Sequence, residues 1–284
     1  MPNAKARPDR AARPCRPARS RSLRFATGSV VEVDHAGLAY DLDMHVEQLW
    51  RYPVKSMQGE RLVTAEVGEL GIIGDRQWAV VDLTSGTTLT ARREPQLLWA
   101  SAAIVPGSTA DDVGVEITLP DGSRTSEAAA LSDWLGRPVE LQRAGGGSGI
   151  FEIAPDFEHE DEGTWLRWDG PLDTFHDAAR TRVSIGALDE LREWDPRRFR
   201  FNVIVAGGLA RPLAGTSVQI GTTTLDVIDH IDRCVMTTRP QPGGIERDLG
   251  VLKTIIRDLD NQLGVAACVS AQGTISVGDA VSPG

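Results

Sequence analysis

The sequence predicts a mainly β protein with appended helices, an α+β chain of barrel-like architecture. Three observations carry this. Eleven short runs read as strands, only three stretches show helical character, and Gly, Pro, Asn and Asp punctuate the chain at short intervals. Many short strands closing on one another is the arrangement that buries such runs without leaving long open edges.

Taken in order, residues 46–52 form a strand that Pro53 ends, because proline has no N–H to give a ladder. Val54, Lys55 and Ser56 are then placed in a turn, which presents Lys55 and Ser56 at a strand exit. Strands follow at 61–67, 77–82 and 87–91, the last two joined by Leu83-Thr84-Ser85-Gly86, a connection short enough for a hairpin. Gly71 and Gly74 bracket the approach to Asp75-Arg76. Residues 115–119 and a turn at Asp121-Gly122 continue the β pattern, a short helix spans 127–135 and is closed by Gly136, and 139–142 is another strand. Residues 144–149, AGGGSG, read as a flexible connector between a first domain, 44–143, and a second, 150–284. The sharper reading, a phosphate-cradling loop, lacks the Gly-Lys-Ser/Thr of a P-loop. Residues 157–169 show no period and read as surface loop. A short helix at 187–194 precedes a strand at 199–205, on which Arg200 and Asn202 share one face because side chains alternate with period two. Strands at 218–220 and 223–228 follow. Leu252, Ile255, Ile256, Leu259 and Leu263 recur at helical spacing, and strands at 265–270 and 274–277 complete the pattern.

With 41% hydrophobic residues among 284, the chain has the apolar content for one large core or two modest ones. Its formal net charge of −10 disfavours nucleic acid or an anionic membrane surface as the main partner. No run approaches the roughly 20 apolar residues of a membrane span. Cys15, Cys234 and Cys268 are odd in number and far apart, which argues against a disulfide framework and for a reducing, cytoplasmic setting. Residues 1–24 hold seven arginines and Lys5 against the single acid Asp9. They lack the apolar stretch of a secretory signal, and their prolines oppose the amphipathic helix of a transit peptide, so residues 1–43 are expected to be a disordered tail. Those residues carry eight bases and five acids, leaving a net charge of −13 on the rest of the chain. Met44, followed at once by a strand pattern, is the expected start of the natural protein.

The stretch LDVIDHIDRCVMTT, residues 225–238, sets one cysteine at the exit of an apolar strand. Leu225, Val227, Ile228 and Ile231 are strand-forming, residues 229–232 read as a polar turn, and Arg233 stands directly before Cys234. A neighbouring guanidinium favours the thiolate, the form that attacks electrophiles and ligates soft metals. A lone cysteine is also often a small buried apolar residue, and the local sequence leaves both readings open.

In order along the chain stand Tyr52-Pro53-Val54-Lys55-Ser56, Asp75-Arg76-x-Trp78, Phe199-Arg200-x-Asn202, Arg233-Cys234-x-x-Thr237-Thr238 and Val277-Gly278-Asp279-x-Val281. As a set they resemble the MOSC proteins that carry an N-terminal MOSC barrel, the group of the amidoxime-reducing components and their bacterial relatives. The resemblance runs from about Met44 to the C-terminus. It implies an N-terminal MOSC β-barrel domain followed by a MOSC β-barrel domain, with a molybdenum cofactor, molybdopterin and its metal, bound between them. Cys234 falls on the family's metal-ligating, catalytic cysteine, and a thiolate is a soft ligand suited to molybdenum already held by dithiolene sulfurs. Lys55, Ser56, Arg76, Arg200 and Asn202 fall on cofactor-binding positions, where charged donors suit a phosphate. The implied activity is reduction of small N-hydroxylated substrates of the amidoxime or hydroxylamine type. Electrons would come from a separate haem or flavin/iron–sulfur reductase, since Cys234 and Cys268 are too few for a cluster.

Departures from the family pattern are also informative. Met57 stands where many relatives have a cysteine after Lys-Ser. The loop beyond Cys234 reads Arg239-Pro240-Gln241-Pro242-Gly243-Gly244 in place of the usual Asp-Pro-x-Thr-Gly, and Gly250-Val251-Leu252-Lys253-Thr254-Ile255 follows where Glu-Pro-Leu-x-Thr-Leu is usual. The sequence ends at Gly284 with no cysteine-spaced ferredoxin module. A rival role is that of a sulfur carrier in which Cys234 bears a persulfide for metal–sulfur cluster assembly; stoichiometric molybdenum separates the two.

Overall fold

The computed structural model describes residues 44–106, 113–153 and 165–284. The expected tail, residues 1–43, and part of the expected loop at 157–169 lie outside the described residues. Strands in the first half are β1 (His45–Arg51), β2 (Glu60–Leu62), β3 (Thr64–Gly68), β4 (Gly71–Ile72), β5 (Trp78–Asp82), β6 (Ser101–Pro106), β7 (Val113–Thr118), β8 (Arg124–Thr125) and β9 (Val139–Arg143), with helix α1 (Ala128–Leu135) before the last. The second half adds β10 (Ser148–Ile153), β11 (Leu166–Leu172), β12 (Val183–Ala187), β13 (Val203–Ala206), β14 (Ser217–Ile220), β15 (Thr223–Asp232), helix α2 (Leu249–Leu259), β16 (Gln262–Ala271), β17 (Gly273–Ser276) and β18 (Val281–Pro283). The fold is mainly β with appended helices. No helix among the described residues is long and apolar enough to cross a membrane.

The central sheet has eight strands in the order β18-β14-β15-β16-β12-β13-β1-β2. Its pairings are antiparallel except for β12 with β13, which run parallel. The first described strand is therefore built into a sheet otherwise supplied mostly by the second half. The exchange is mutual, because β17 pairs with β3 in a sheet that also holds β4. Apolar side chains from both exchanges, among them Val46, Leu49, Val67, Val205, Leu225 and Ile275, form one buried core. A second core gathers Val54, Met57, Trp78, Leu97, Ile117 and Leu131 under α1.

A third core explains how the chain enters the site. Phe201 is completely buried, and its ring lies against Gly186 and Gly264, where an added Cβ would come within 2.4 Å and 2.2 Å of ring carbons. Gly264 also has a φ of +74°, a conformation open to glycine at little cost. Val251 and Ile255 of α2 close this core from outside. Asp248 accepts a 2.8 Å bond from the Gly250 N–H at the start of α2, and Asp260 ends it in the left-handed region.

The elements expected at 127–135, 139–142, 218–220 and 274–277 are found close to those positions. Others differ. Residues 87–91 form no strand beyond a single bridge between Val81 and Thr88. The expected polar turn at 229–232 is the continuation of β15 along β16, and Leu263, counted into the last helix, belongs to β16. Residues 166–169, expected in a loop, pair with β10 as part of β11. Most relevant to function, β13 begins only at Val203, so Arg200 and Asn202 do not lie on one strand face. Arg200 has a φ of +56° after a 3-10 turn at Pro196–Arg198.

Candidate active-site cleft

Cys234 leads out of β15 as the residue before a 3-10 turn, Val235–Thr238, and its backbone is extended, with φ −129° and ψ 179°. The Thr237 N–H and hydroxyl both donate to the Cys234 carbonyl, at 3.1 Å and 3.0 Å. The thiol is free and partly exposed. It lines a cleft of about 480 Å³ together with all five of the other residues singled out from sequence, Lys55, Ser56, Arg76, Arg200 and Asn202.

The route by which each reaches the cleft is local. Pro53 leaves β1, and the Lys55 N–H donates to the Trp78 carbonyl at 2.8 Å, which fixes the turn against β5. Ser56, Arg76 and Arg200 all have positive φ, at 69°, 49° and 56°. Three non-glycine residues in the left-handed region at one cleft is the kind of local strain that a folded scaffold sustains most often where geometry serves function.

The six residues are engaged differently. The buried Lys55 ammonium donates to the Phe175 carbonyl at 2.9 Å and to Asp177 Oδ1 at 2.8 Å, and lies 4.5 Å from the Phe151 ring centre. Burial lowers its pKa, with Asp177 opposing. Ser56 Oγ accepts from the Ala91 N–H at 2.9 Å. Arg76 pairs with the buried Asp75 and donates to the Arg200 carbonyl at 3.0 Å and to Asn202 Oδ1 at 3.4 Å. The same Asn202 oxygen accepts from the Ser184 hydroxyl at 2.9 Å and N–H at 3.2 Å, while its amide nitrogen donates to the Trp50 carbonyl at 3.3 Å. Asn202 is thus a brace that ties β1, β12 and Arg76 together.

Arg200 stands apart. Its Nη1 donates to the Met57 carbonyl, but its buried Nη2 has no hydrogen-bond partner among the described residues. Its guanidinium and that of Arg76 lie 4.4 Å and 4.9 Å from the ring centre of Tyr52, whose own pKa burial pushes up to about 12. Burial, with the nearby Arg76 charge, pushes Arg200 down to about 10. Among the described residues it is a buried cation with no ion-pair partner of its own.

Arg233 keeps the electrostatic link to Cys234 that its place in the sequence suggests, since burial pushes its pKa down to about 10 with the Cys234 charge opposing, and it is also committed to the backbone. Its guanidinium donates to the Leu263 carbonyl at 2.9 Å and 2.6 Å and to the Phe199 carbonyl at 3.0 Å, and lies 4.4 Å from the Phe201 ring centre. It therefore holds the turn that launches Arg200. His176 escaped notice in the sequence, where a lone histidine carries no pattern. It is buried in the cleft wall 3.8 Å from Asp75, and burial and the neighbouring cations push its pKa to about 3, so its imidazole is neutral near pH 7. Among the described residues, seven Lys and Arg side chains line the cleft against four Asp and Glu, in a chain whose formal charge is −10. The basic excess is local, as an anionic ligand requires.

Comparison with known proteins gives the family. A model of the MOSC N-terminal beta barrel domain matches residues 43–144, and a model of the MOSC domain matches residues 177–282. The chain belongs to the MOSC family. This MOSC chain is 25% identical over 280 residues to mitochondrial amidoxime-reducing component 1 of Mus musculus, covering 83% of its own length and 81% of the relative's. Among solved structures it is similar to the YUAD protein from Bacillus subtilis, with 16% identity, a TM-score of 0.40 and coverage of 84% of this chain and 93% of that one. It is also similar to YiiM from Geobacillus stearothermophilus, with 14% identity, a TM-score of 0.31 and coverage of 48% and 73%.

Proposed function

We propose that the cleft holds a molybdenum cofactor with Cys234 as the protein ligand to the metal, and that the protein reduces small N-hydroxylated molecules with electrons from a separate donor protein. The observation that carries this reading is the juxtaposition of a free, partly exposed thiol with the buried, under-partnered guanidinium of Arg200 in one cation-rich cleft. The donor set fits the group, since a thiolate suits molybdenum and fixed cations suit a phosphate. The name of the mouse relative supports the substrate class.

When bound, such a cofactor supplies the two-electron chemistry of removing oxygen from nitrogen. The chain's own residues do the rest. Arg200 and Lys55 neutralise the anionic end of the ligand, with the Ser56 hydroxyl available as a donor beside them. Arg76 and Asn202, whose polar atoms are largely committed inside the protein, hold Arg200 and Ser184 in place. His176, neutral and buried, adds no charge to repel a cation or attract an anion. The test is molybdenum and pterin per mole of protein after expression in a host that makes the cofactor, followed by turnover of an amidoxime with a supplied donor. Near-stoichiometric metal and turnover are expected. Sulfur on Cys234 without molybdenum would instead establish a sulfur carrier.

A further inference from the structure

We propose that Arg198 is the positioning residue for the Cys234 thiol, acting through the loop that follows it. Arg198 is buried, yet among the described residues it meets no carboxylate within salt-bridge distance; its fork is spent on carbonyls of one loop. Nη1 donates to the Thr237 carbonyl at 3.2 Å and to the Arg239 carbonyl at 3.4 Å, and Nη2 donates to the Glu246 carbonyl at 2.7 Å. Thr237 in turn holds the Cys234 carbonyl through both its N–H and its hydroxyl. A continuous chain of hydrogen bonds therefore runs from Arg198 through Thr237 to the backbone of Cys234.

The base of this chain is itself fixed. Arg198 closes a 3-10 turn that Pro196 begins and Asp195 caps, accepting from the Arg197 N–H at 2.9 Å. The adjacent Arg197 holds the far part of the same loop, donating to the Pro242 carbonyl at 3.1 Å and the Gly243 carbonyl at 3.4 Å. Two consecutive arginines thus share the loop, with Arg198 holding its start beside the cysteine turn and its return at Glu246, and Arg197 holding the stretch between them. The loop in question is the one whose sequence departs from the family pattern, so this clamp concerns how this chain sets its thiol. A planar fork reaching three carbonyls is a task for which lysine, a single point donor, is a partial substitute.

The inference rests on the proposed function only in taking Cys234 as the reactive group, and it is tested on metal-free protein, so it stands or falls apart from molybdenum. The measurement is the rate of Cys234 alkylation by iodoacetamide, read at that residue by peptide mass spectrometry. Arg198→Ala is expected to raise the rate about 5- to 10-fold, the shift that loss of one net hydrogen bond gives. Arg198→Lys should recover part of the difference, and Arg197→Ala should leave the rate unchanged. Thr237→Val should act in the same direction as Arg198→Ala, and the double variant should react no faster than Arg198→Ala alone, because both act through one chain. A wild-type rate in Arg198→Ala, an equal rise in Arg197→Ala, or multiplying effects in the double variant would overturn the proposal. If Arg198→Ala does not fold, Arg198→Lys and Thr237→Val decide it in the same way.

Discussion

Arg200→Met asks whether a buried arginine is there for the fold or for a ligand. The drop of Arg200 from its ordinary value to about 10 corresponds to about 3 kcal/mol of unfavourable burial in the ligand-free protein. Replacement by a flexible apolar side chain removes that cost. Against it stand the Met57 carbonyl, left without its donor at about 1–3 kcal/mol, and the contact with the face of Tyr52, worth about 0.5–2 kcal/mol. The terms nearly cancel, so the metal-free variant should be within about 2 kcal/mol of wild type in chemical denaturation. A buried arginine with a full set of internal partners would instead cost about 3–5 kcal/mol. Truncation of a buried charged contact to an anion costs about 2–5 kcal/mol, or roughly 30- to several-thousand-fold in affinity. Arg200→Met expressed in a cofactor-making host should therefore be folded and largely without molybdenum. A loss of stability above about 3 kcal/mol, or full molybdenum occupancy, would show that the missing partner of Nη2 is no sign of a ligand.

Cys234→Ser should leave thermal stability within a few degrees and abolish both metal retention and turnover, since oxygen is a harder ligand than sulfur; activity assays and metal analysis check it. His176→Gln should flatten the acid side of the stability profile. With a folded pKa of about 3 against an ordinary 6.5, His176 binds a proton more readily in the unfolded chain, so stability is fully present above pH 6.5 and falls as pH drops toward 3, by up to about 1.4 kcal/mol per pH unit. Denaturation curves at several pH values should show that slope in wild type and a shallower one in the variant. Gly264→Ala should destabilise by at least about 2 kcal/mol, because the added methyl meets the Phe201 ring at 2.2 Å and the Ile185 carbonyl at 2.7 Å in a left-handed backbone. A fragment of residues 150–284 should fail to give a cooperative melt, because it lacks the β1 strand that pairs with β13.

The site was legible where motifs act as units. Lys55-Ser56 after a strand-ending proline and Cys234 after an apolar run both reach the cleft by the expected logic of turn and strand exit. Arg200 and Asn202 reach it for a different reason. Period two placed them on one strand face, but Phe201 needs the glycine-lined slot beneath Gly186 and Gly264, and the chain satisfies that packing by turning through the left-handed region at Arg200. Tertiary packing overrode a local pattern that was itself sound. Strand β11 was missed because it forms a two-stranded ribbon with little buried surface, so its residues show no alternation to read. The end of α2 was readable in principle: Asp260 and Asn261 both adopt positive φ, and such residues often close helices. Leu263 kept the helical spacing by coincidence.

The hydrogen bonds of the site show why it could not be assembled from either half of the sequence alone. Lys55 reaches the Phe175 carbonyl and Asp177, Arg76 reaches the Arg200 carbonyl, Arg200 reaches the Met57 carbonyl, and Asn202 reaches the Trp50 carbonyl. Each of these bonds crosses from the first half of the chain to the second. The swap of β1 into the large sheet and of β17 onto β3 is what brings those partners within reach, and it makes the halves mutually dependent before any ligand is present. An anion held between Lys55 and Arg200 would add a further crossing at a buried donor that is unmatched among the described residues. Ligand binding and the docking of the two halves should then be coupled, with a loaded protein melting well above the empty one by an amount set by ligand affinity.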